Sequence, residues 1–470
     1  MGASESMRGG APGGAGPRQG SKPSLRAAMV VFQYRHYRYL WTSSALSFTG
    51  MQIQQVARAL LAWELTKSYG AVGAVSLSFG LPMMLFSLIG GSLADRLEKR
   101  NLTLMTQTGV GILSLITAVL ITTDVITIQI LLGLGLVQGT FFALGMPART
   151  PLMAEVVGPR NVMSAIAMSN AAMNATRLLG PAIAGVLVAL WGIDSAYYVM
   201  SAFYALAIIT MLRVPTGLSQ LAREESGSFR RPQGNMFVEI GRGLSYVARH
   251  PRLRLLIGML FILTFFASPY IILLPGFVQD DLGRSKSAFA LLQMVSGVGA
   301  LVGALGIATL TGHDRKPLIQ WVAGILAGVG LILLAIGSSI FGFGGALVAV
   351  LFLGFFLTAY QTLNNTMLMD EADPEYYGRV MSINMLTFSA MPVMAYPLGA
   401  IADAYGAKQT FFVEGAIVAG FMVVVALINT RYTFGRLAPR LKQVSVTHGG
   451  SDPANTGPGV TGAGTAAPGP

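Results

Sequence analysis

Cysteine is absent from all 470 residues, which excludes disulfides, thiol catalysis, iron–sulfur clusters and cysteine-bound zinc. Histidine is scarce. His36, His250, His313 and His448 lie far apart, and no two have the spacing of a metal site or a catalytic dyad. Charged residues make up only 11%, against about 25% in soluble domains. No glycine-rich phosphate loop ending in Lys-Ser or Lys-Thr occurs, so ATP drive from this chain is not expected. Gly241-Arg242-Gly243 and Gly297-Val298-Gly299 follow no strand and carry no nucleotide reading. Neither a cofactor nor enzyme chemistry is expected.

Apolar residues fill the space left by charge. They make up 53% of the chain, and the mean hydropathy is +0.61. Runs of about 20 apolar residues, the length a bilayer requires, recur along most of the sequence. The pattern predicts an all-α membrane protein with twelve transmembrane helices near 38–64, 69–94, 102–123, 126–148, 164–190, 195–213, 253–278, 286–310, 317–338, 344–368, 380–403 and 408–430. Two six-helix halves, 37–213 and 253–430, are expected on either side of a polar linker, 214–252. Within that linker Met236–Arg249 has apolar residues at helical spacing and reads as a surface helix. The tails, 1–36 and 431–470, are rich in Gly, Pro and Ala and are expected to be disordered. The first tail has no apolar core of a cleavable signal.

Two short matches indicate a tandem repeat. Val162-Met163-Ser164 corresponds to Val380-Met381-Ser382, and the stretch from Trp191-Gly192 to Val199 corresponds to that from Tyr405-Gly406 to Val413. The offsets, 218 and 214 residues, approach the length of six spans with their loops. Charge sets orientation. With an even number of spans both tails share a side, and 26 of the 32 Lys and Arg residues fall on that side against four in the opposite loops. The tails and linker are therefore expected to be cytoplasmic, in a cell (plasma or inner) membrane. The positive charges are scattered along loops, so no nucleic-acid partner is expected. A monomer in the lipid bilayer is the expected state.

The turn Gly91-Ser92-Leu93-Ala94-Asp95-Arg96-Leu97-Glu98-Lys99-Arg100 falls between the second and third spans. It resembles the signature of the major facilitator superfamily, Gly-x-x-x-Asp-Arg/Lys-x-Gly-Arg/Lys-Arg/Lys. Gly91, Asp95, Arg96, Lys99 and Arg100 match, and Glu98 stands where glycine is usual. The resemblance covers roughly residues 33–430. It implies the major facilitator fold, alternating access to a midplane site between the halves, and a gate in which Asp95 latches the outward-facing state across the halves. The fifth span carries Gly180, Pro181 and Gly185, similar to the small-residue kink of the family's antiporter branches. Its bland alternative is a packing kink. Tyr34 to Trp41, Gln54 to Ala57 and the stretch from Pro147 to Pro181 are similar to a subgroup containing enterobactin and macrolide exporters. This implies proton-coupled export of an amphipathic small molecule. An uptake or exchange carrier for a small metabolite fits the same fold.

Polar side chains inside spans are costly in hydrocarbon and mark candidate pathway positions. Gln52, Gln55 and Arg58 share a broad face of the first span, and Asn170, Asn174 and Arg177 lie on one side of the fifth. Gln293 falls in the eighth span, Tyr360, Gln361 and Asn364 in the tenth, and Asn384 in the eleventh. A lone amide in a membrane helix serves as readily for an interhelical hydrogen bond. Arg58 and Arg177 need a partner or a watery cavity, and suit an anionic substrate group or a titrating carboxylate. Glu414 is the acid placed deepest by sequence, in the last span.

Overall fold

A computed structural model describes residues 29–158, 161–217, 236–310, 316–373, 376, 380, 383–384, 387 and 391–428. Residues 1–28, 218–235 and 429–470 and part of the eleventh span fall outside these residues, whereas Val30–Gln33, expected in a disordered tail, form a 3-10 turn with Val31 buried. Every described regular element is helical. In chain order they are α1 Arg35–Thr66, α2 Tyr69–Arg96, α3 Lys99–Thr122, α4 Ile128–Val157, α5 Val162–Trp191 and α6 Ile193–Leu212. After the linker come α7 Met236–Arg249, α8 Pro251–Phe266 and α9 Tyr270–Gly276, which continues into a π turn at Phe277–Asp281. The rest are α10 Lys286–Leu310, α11 Lys316–Glu371, α12 Met391–Tyr405 and α13 Ala407–Ile428. Among the described residues nine helices are long and apolar enough to cross a membrane.

Local chemistry fixes the turns. Lys67 ends α1 in the left-handed region (φ 53°), returning its N–H to the Trp63 carbonyl at 2.7 Å. Ser68 then opens α2, its hydroxyl accepting from the Ala71 amide at 3.1 Å. The expected surface helix forms over the expected residues, 236–249. It is seated by Tyr246, whose hydroxyl donates to the Asp373 carboxylate at 2.9 Å. At 56 residues, α11 is twice the length a bilayer requires. Gly342, at φ 57° and ψ −137°, folds it into two limbs, 316–341 and 343–371. Gly192 and Gly406, paired by the repeat, separate successive helices at φ 92° and 91°. Only glycine accepts that backbone without strain.

Helices α1–α6 pack on one another as a first group, α8, α10, α11 and α13 as a second, and the two meet through α2 with α12 and α5 with α10. In the first, α1 runs against α5 and α6. The Tyr37 hydroxyl donates to the Ala165 carbonyl at 2.9 Å, and Gln107 donates to Ser43 and Ser47 at 3.1 and 2.9 Å. In the second, α10 and α13 pack on α11. Large apolar side chains such as Leu115, Val186, Phe341, Val348 and Leu427 remain exposed around the outside. A belt of that size belongs against lipid. One end of the molecule carries Lys99, Arg100, Arg252 and Lys316 and is called the basic end below.

Candidate functional site

The two groups are pinned together at the end opposite the basic one. Asp403, near the end of α12, reaches the first turn of α2. Its carboxylate accepts from the Ser68 hydroxyl at 2.7 Å and from the amides of Tyr69 and Gly70 at 2.6 and 2.9 Å. These amides are orphan donors of a helix N-terminus, and the helix dipole adds to the attraction. Glu64 of α1 pairs with Lys286 of α10. The Tyr69 hydroxyl donates to Asp281 at 3.3 Å, and Lys67 to Gln279 at 3.5 Å. Small residues let the backbones close: a Cβ on Gly73 would meet the Ala395 carbonyl oxygen at 2.3 Å, and one on Gly185 would meet the Ala290 side chain at 2.5 Å.

The seam stays closed as far as Gly297 of α10, where a Cβ would meet the Arg177 carbonyl oxygen at 3.2 Å, and loosens toward the basic end beyond it. On α5, Pro181, Gly185 and Val188 are buried, with Gly185 against α10. Asn170, Asn174 and Arg177 continue that face by helical spacing but are exposed. On α10, which runs antiparallel to α5, Ala290 is 2% exposed and Leu301, three turns on along the same face, is 37% exposed. Exposure on both helices therefore rises from the sealed end toward the basic one, and the space between them there is called the cleft below. Gln55 is the single exposed position between Ser43 and Glu64 of α1, which places it on the same cleft. Gln52 lies beside it under Gly180 of α5. Gln293 sits between Ala290 and Gly297 of α10, its Nε2 enclosed without a hydrogen-bond partner.

Other expected pathway residues lie elsewhere. Arg58 points into the first group and stacks on Phe79, 4.3 Å from the ring centroid. Gln54 pairs with Gln138 of α4. Asn364 is fully buried and accepts from Gln320 at 2.7 Å, joining the two limbs of α11. Tyr360 is fully buried one turn away. Gln361 is half-buried on the same limb. Asn384 donates to Asn365 at 2.9 Å. Asn364 and Asn384 thus make the interhelical bonds that amides in apolar helices commonly make. Glu414 is enclosed on α13, both carboxylate oxygens without a hydrogen-bond partner. A crevice of about 490 Å³ between α11 and α13 is lined largely by apolar residues such as Ile340 and Phe412. Ile340 and Phe412 are exposed on the lipid-facing surface.

The signature turn is partly described. Gly91 falls in the helical backbone of α2, and the side chains of Asp95 and Arg96 lie outside the described residues. Lys99 forms an ion pair with Glu155 of α4 at 2.5 Å. Arg100 donates to the carbonyls of Val214 and Leu212 at 2.6 and 3.0 Å. Glu98 takes φ −66°, so the position has no need of glycine. Its carboxylate instead accepts from the Gly217 amide at 2.6 Å and ties down the start of the linker.

Sequence reasoning missed two features. Arg149 was expected in a loop after 148, but α4 continues to Val157 and places it inside the first group. There it stacks on Phe48 at 4.8 Å, near Tyr204. The role of Asp403 is the second. The signal for its role was an acid at one span end opposite Ser68-Tyr69-Gly70 at another span start.

The family model described as transmembrane secretion effector matches residues 27–440. The chain belongs to that family. It is a multi-pass membrane transporter of the major facilitator superfamily. As a secretion effector it is similar to the staphyloferrin A transporter of Staphylococcus aureus, 21% identical over 84% of this chain and 96% of the relative. It is 22% identical to macrolide efflux protein A of Streptococcus pyogenes over 83% and 95%, and 24% identical to the enterobactin exporter of Shigella flexneri over 84% and 92%. Its fold is similar to that of the nucleoside transporter NupG (D323A mutant), with a TM-score of 0.65 at 15% identity over 85% of this chain and all of that one. A bacterial homolog of the human lysosomal transporter Spinster, inward-facing and occupied, gives 0.63 at 15% identity over 88% and 98%.

Proposed function

We propose that the chain is a secondary active exporter of amphipathic organic compounds, driven by protons and working by alternating access between two six-helix halves. The observation that carries this reading is the cleft, sealed across the groups by Asp403 and Glu64 and polar-walled toward the basic end. The relatives that export a siderophore or a macrolide support the direction.

With the basic end cytoplasmic, as the charge bias of the loops argues, the cleft faces inward. A monomer in the cell membrane with both termini inside carries the whole pathway. Substrate enters among Gln52, Gln55, Asn170, Asn174, Arg177 and Gln293. The halves then rock, the Asp403 contacts part, and the basic end closes. Asp95 and Arg96 serve as the latch at that end. Lys99 and Arg100 stay with their own half and hold the linker. Gly180 and Pro181 shape α5 where it meets α1, and Gly185 sets its approach to α10. Glu414 is the coupling group, alternately taking and releasing a proton.

Purified protein in proteoliposomes is expected to accumulate an amphipathic dye against its gradient when a pH gradient is imposed. Glu414→Gln should abolish uphill movement and leave dye exchange intact. Accumulation that survives collapse of the pH gradient overturns proton drive, and an absence of dye movement in any direction overturns export.

A further inference from the structure

We propose that the exported compound is an oxyanion, such as an amphipathic carboxylate, gripped in the cleft by Arg177 between Asn170 and Asn174. This deepens the export reading and rests on it for the location of the site.

Arg177 is exposed on the cleft wall, and no hydrogen bond or ion pair reaches its guanidinium among the described residues. A cation at that depth needs a partner, and the nearby helices supply none. The acids at the sealed end are engaged: Glu64 with Lys286, Asp281 with Tyr69 and Lys408, and Asp403 with the start of α2. At the basic end Glu155 is held by Lys99 and Glu371 by Arg252. Glu414 lies on α13, which packs on α8, α11 and α12 rather than on α5. Among the described residues no carboxylate pairs with the Arg177 guanidinium.

Two further arginines add positive charge inside the first group. Arg58 and Arg149 are held inside the first group over Phe79 and Phe48, each with its Nη1 enclosed and without a hydrogen-bond partner. Aromatic faces attract a guanidinium but leave its net charge uncancelled. A positively charged wall of low dielectric concentrates anions and repels cations. The chemistry of the grip is also specific. The planar fork of Arg177 matches an oxyanion through two parallel N–H bonds. Asn170 lies seven residues before it and Asn174 three, on the same face of α5, and each offers two amide N–H donors. Leu301 on the facing α10 provides apolar surface for the remainder of the molecule.

The test compares naphthylbutanoate with naphthylbutylammonium, two probes with one skeleton and opposite charge, on full-length protein in a non-ionic detergent. Binding is read from thermal stabilisation and tryptophan fluorescence. The butanoate is expected to bind about tenfold more tightly than the ammonium. Arg177→Gln should weaken butanoate binding about tenfold and leave the unliganded melting temperature unchanged, because no hydrogen bond or ion pair within the described residues holds the guanidinium. Arg177→Lys should recover most of the loss. Equal or tighter binding of the ammonium, no butanoate binding at millimolar concentration, or undiminished butanoate binding by Arg177→Gln each overturns the proposal. Butanoate binding by protein that moves nothing across vesicles counts against export and leaves the anion site standing.

Discussion

Three donors converge on the Asp403 carboxylate, and two of them are backbone amides at the start of a helix. Asparagine at that position keeps the size and loses the charge that the helix dipole favours. Because Asp403 is exposed, solvent screening limits the loss to roughly 1 kcal/mol, or about fivefold in the open-to-closed ratio of that end. Asp403→Asn should thus raise labelling of cysteines introduced along the α2–α12 seam from the far side of the membrane by about that factor. The chain has no native cysteine to confuse the measurement. Asp95→Asn should shift the ratio the other way, and unchanged labelling in Asp403→Asn denies it a latch role. Glu98 shows how a departure from a signature becomes intelligible only in space. As a substitute for glycine it looked like lost backbone freedom, yet its φ is ordinary and its carboxylate has a partner 119 residues away.

Helix α5 carries two close approaches with different consequences. A Cβ on Gly180 would meet Gln52 of α1 at 2.3 Å, inside one group. A Cβ on Gly185 would meet Ala290 of α10 at 2.5 Å, across the two groups. Gly180→Ala should lower stability by about 1–3 kcal/mol through overpacking, seen as a lower melting temperature in detergent. Gly185→Ala should leave stability nearly intact and weaken closure of the sealed end, seen as increased labelling there. If both act alike, the seam is not a separate interface. The face of α5 was legible in sequence because Asn170, Asn174 and Arg177 recur at helical spacing. So was α7, from its amphipathic period. The end of α4 was not. The expected span ended near 148, but the helix runs through Pro147 and Pro151, as membrane helices do when neighbours re-satisfy the freed carbonyls. Nor could the sequence separate Asn364 from Asn174. Both are amides in apolar helices, and only packing shows that Asn364 has Gln320 while Asn174 faces open space.

Among the described residues the two groups meet through α2 with α12 and α5 with α10, and the proposed motion must part the contacts at the sealed end. Lys67 and Gln279, in different groups, touch at 3.5 Å in the closed end. Lys67→Cys together with Gln279→Cys, treated with a short thiol cross-linker, should stop transport. Cleaving the linker should restore it, and either single variant should be unaffected. Transport that continues at full rate through the cross-linked protein rules out opening at that end.

Arg177 stands on the wall that such a motion would turn from one side of the membrane to the other. An uncompensated guanidinium that changes its depth in the bilayer moves charge through the membrane voltage, at about 2.3 kcal/mol per elementary charge for a full crossing of 100 mV. The empty carrier would then reset at a rate set by the resting potential, while a carrier loaded with a single anion would move one positive charge less.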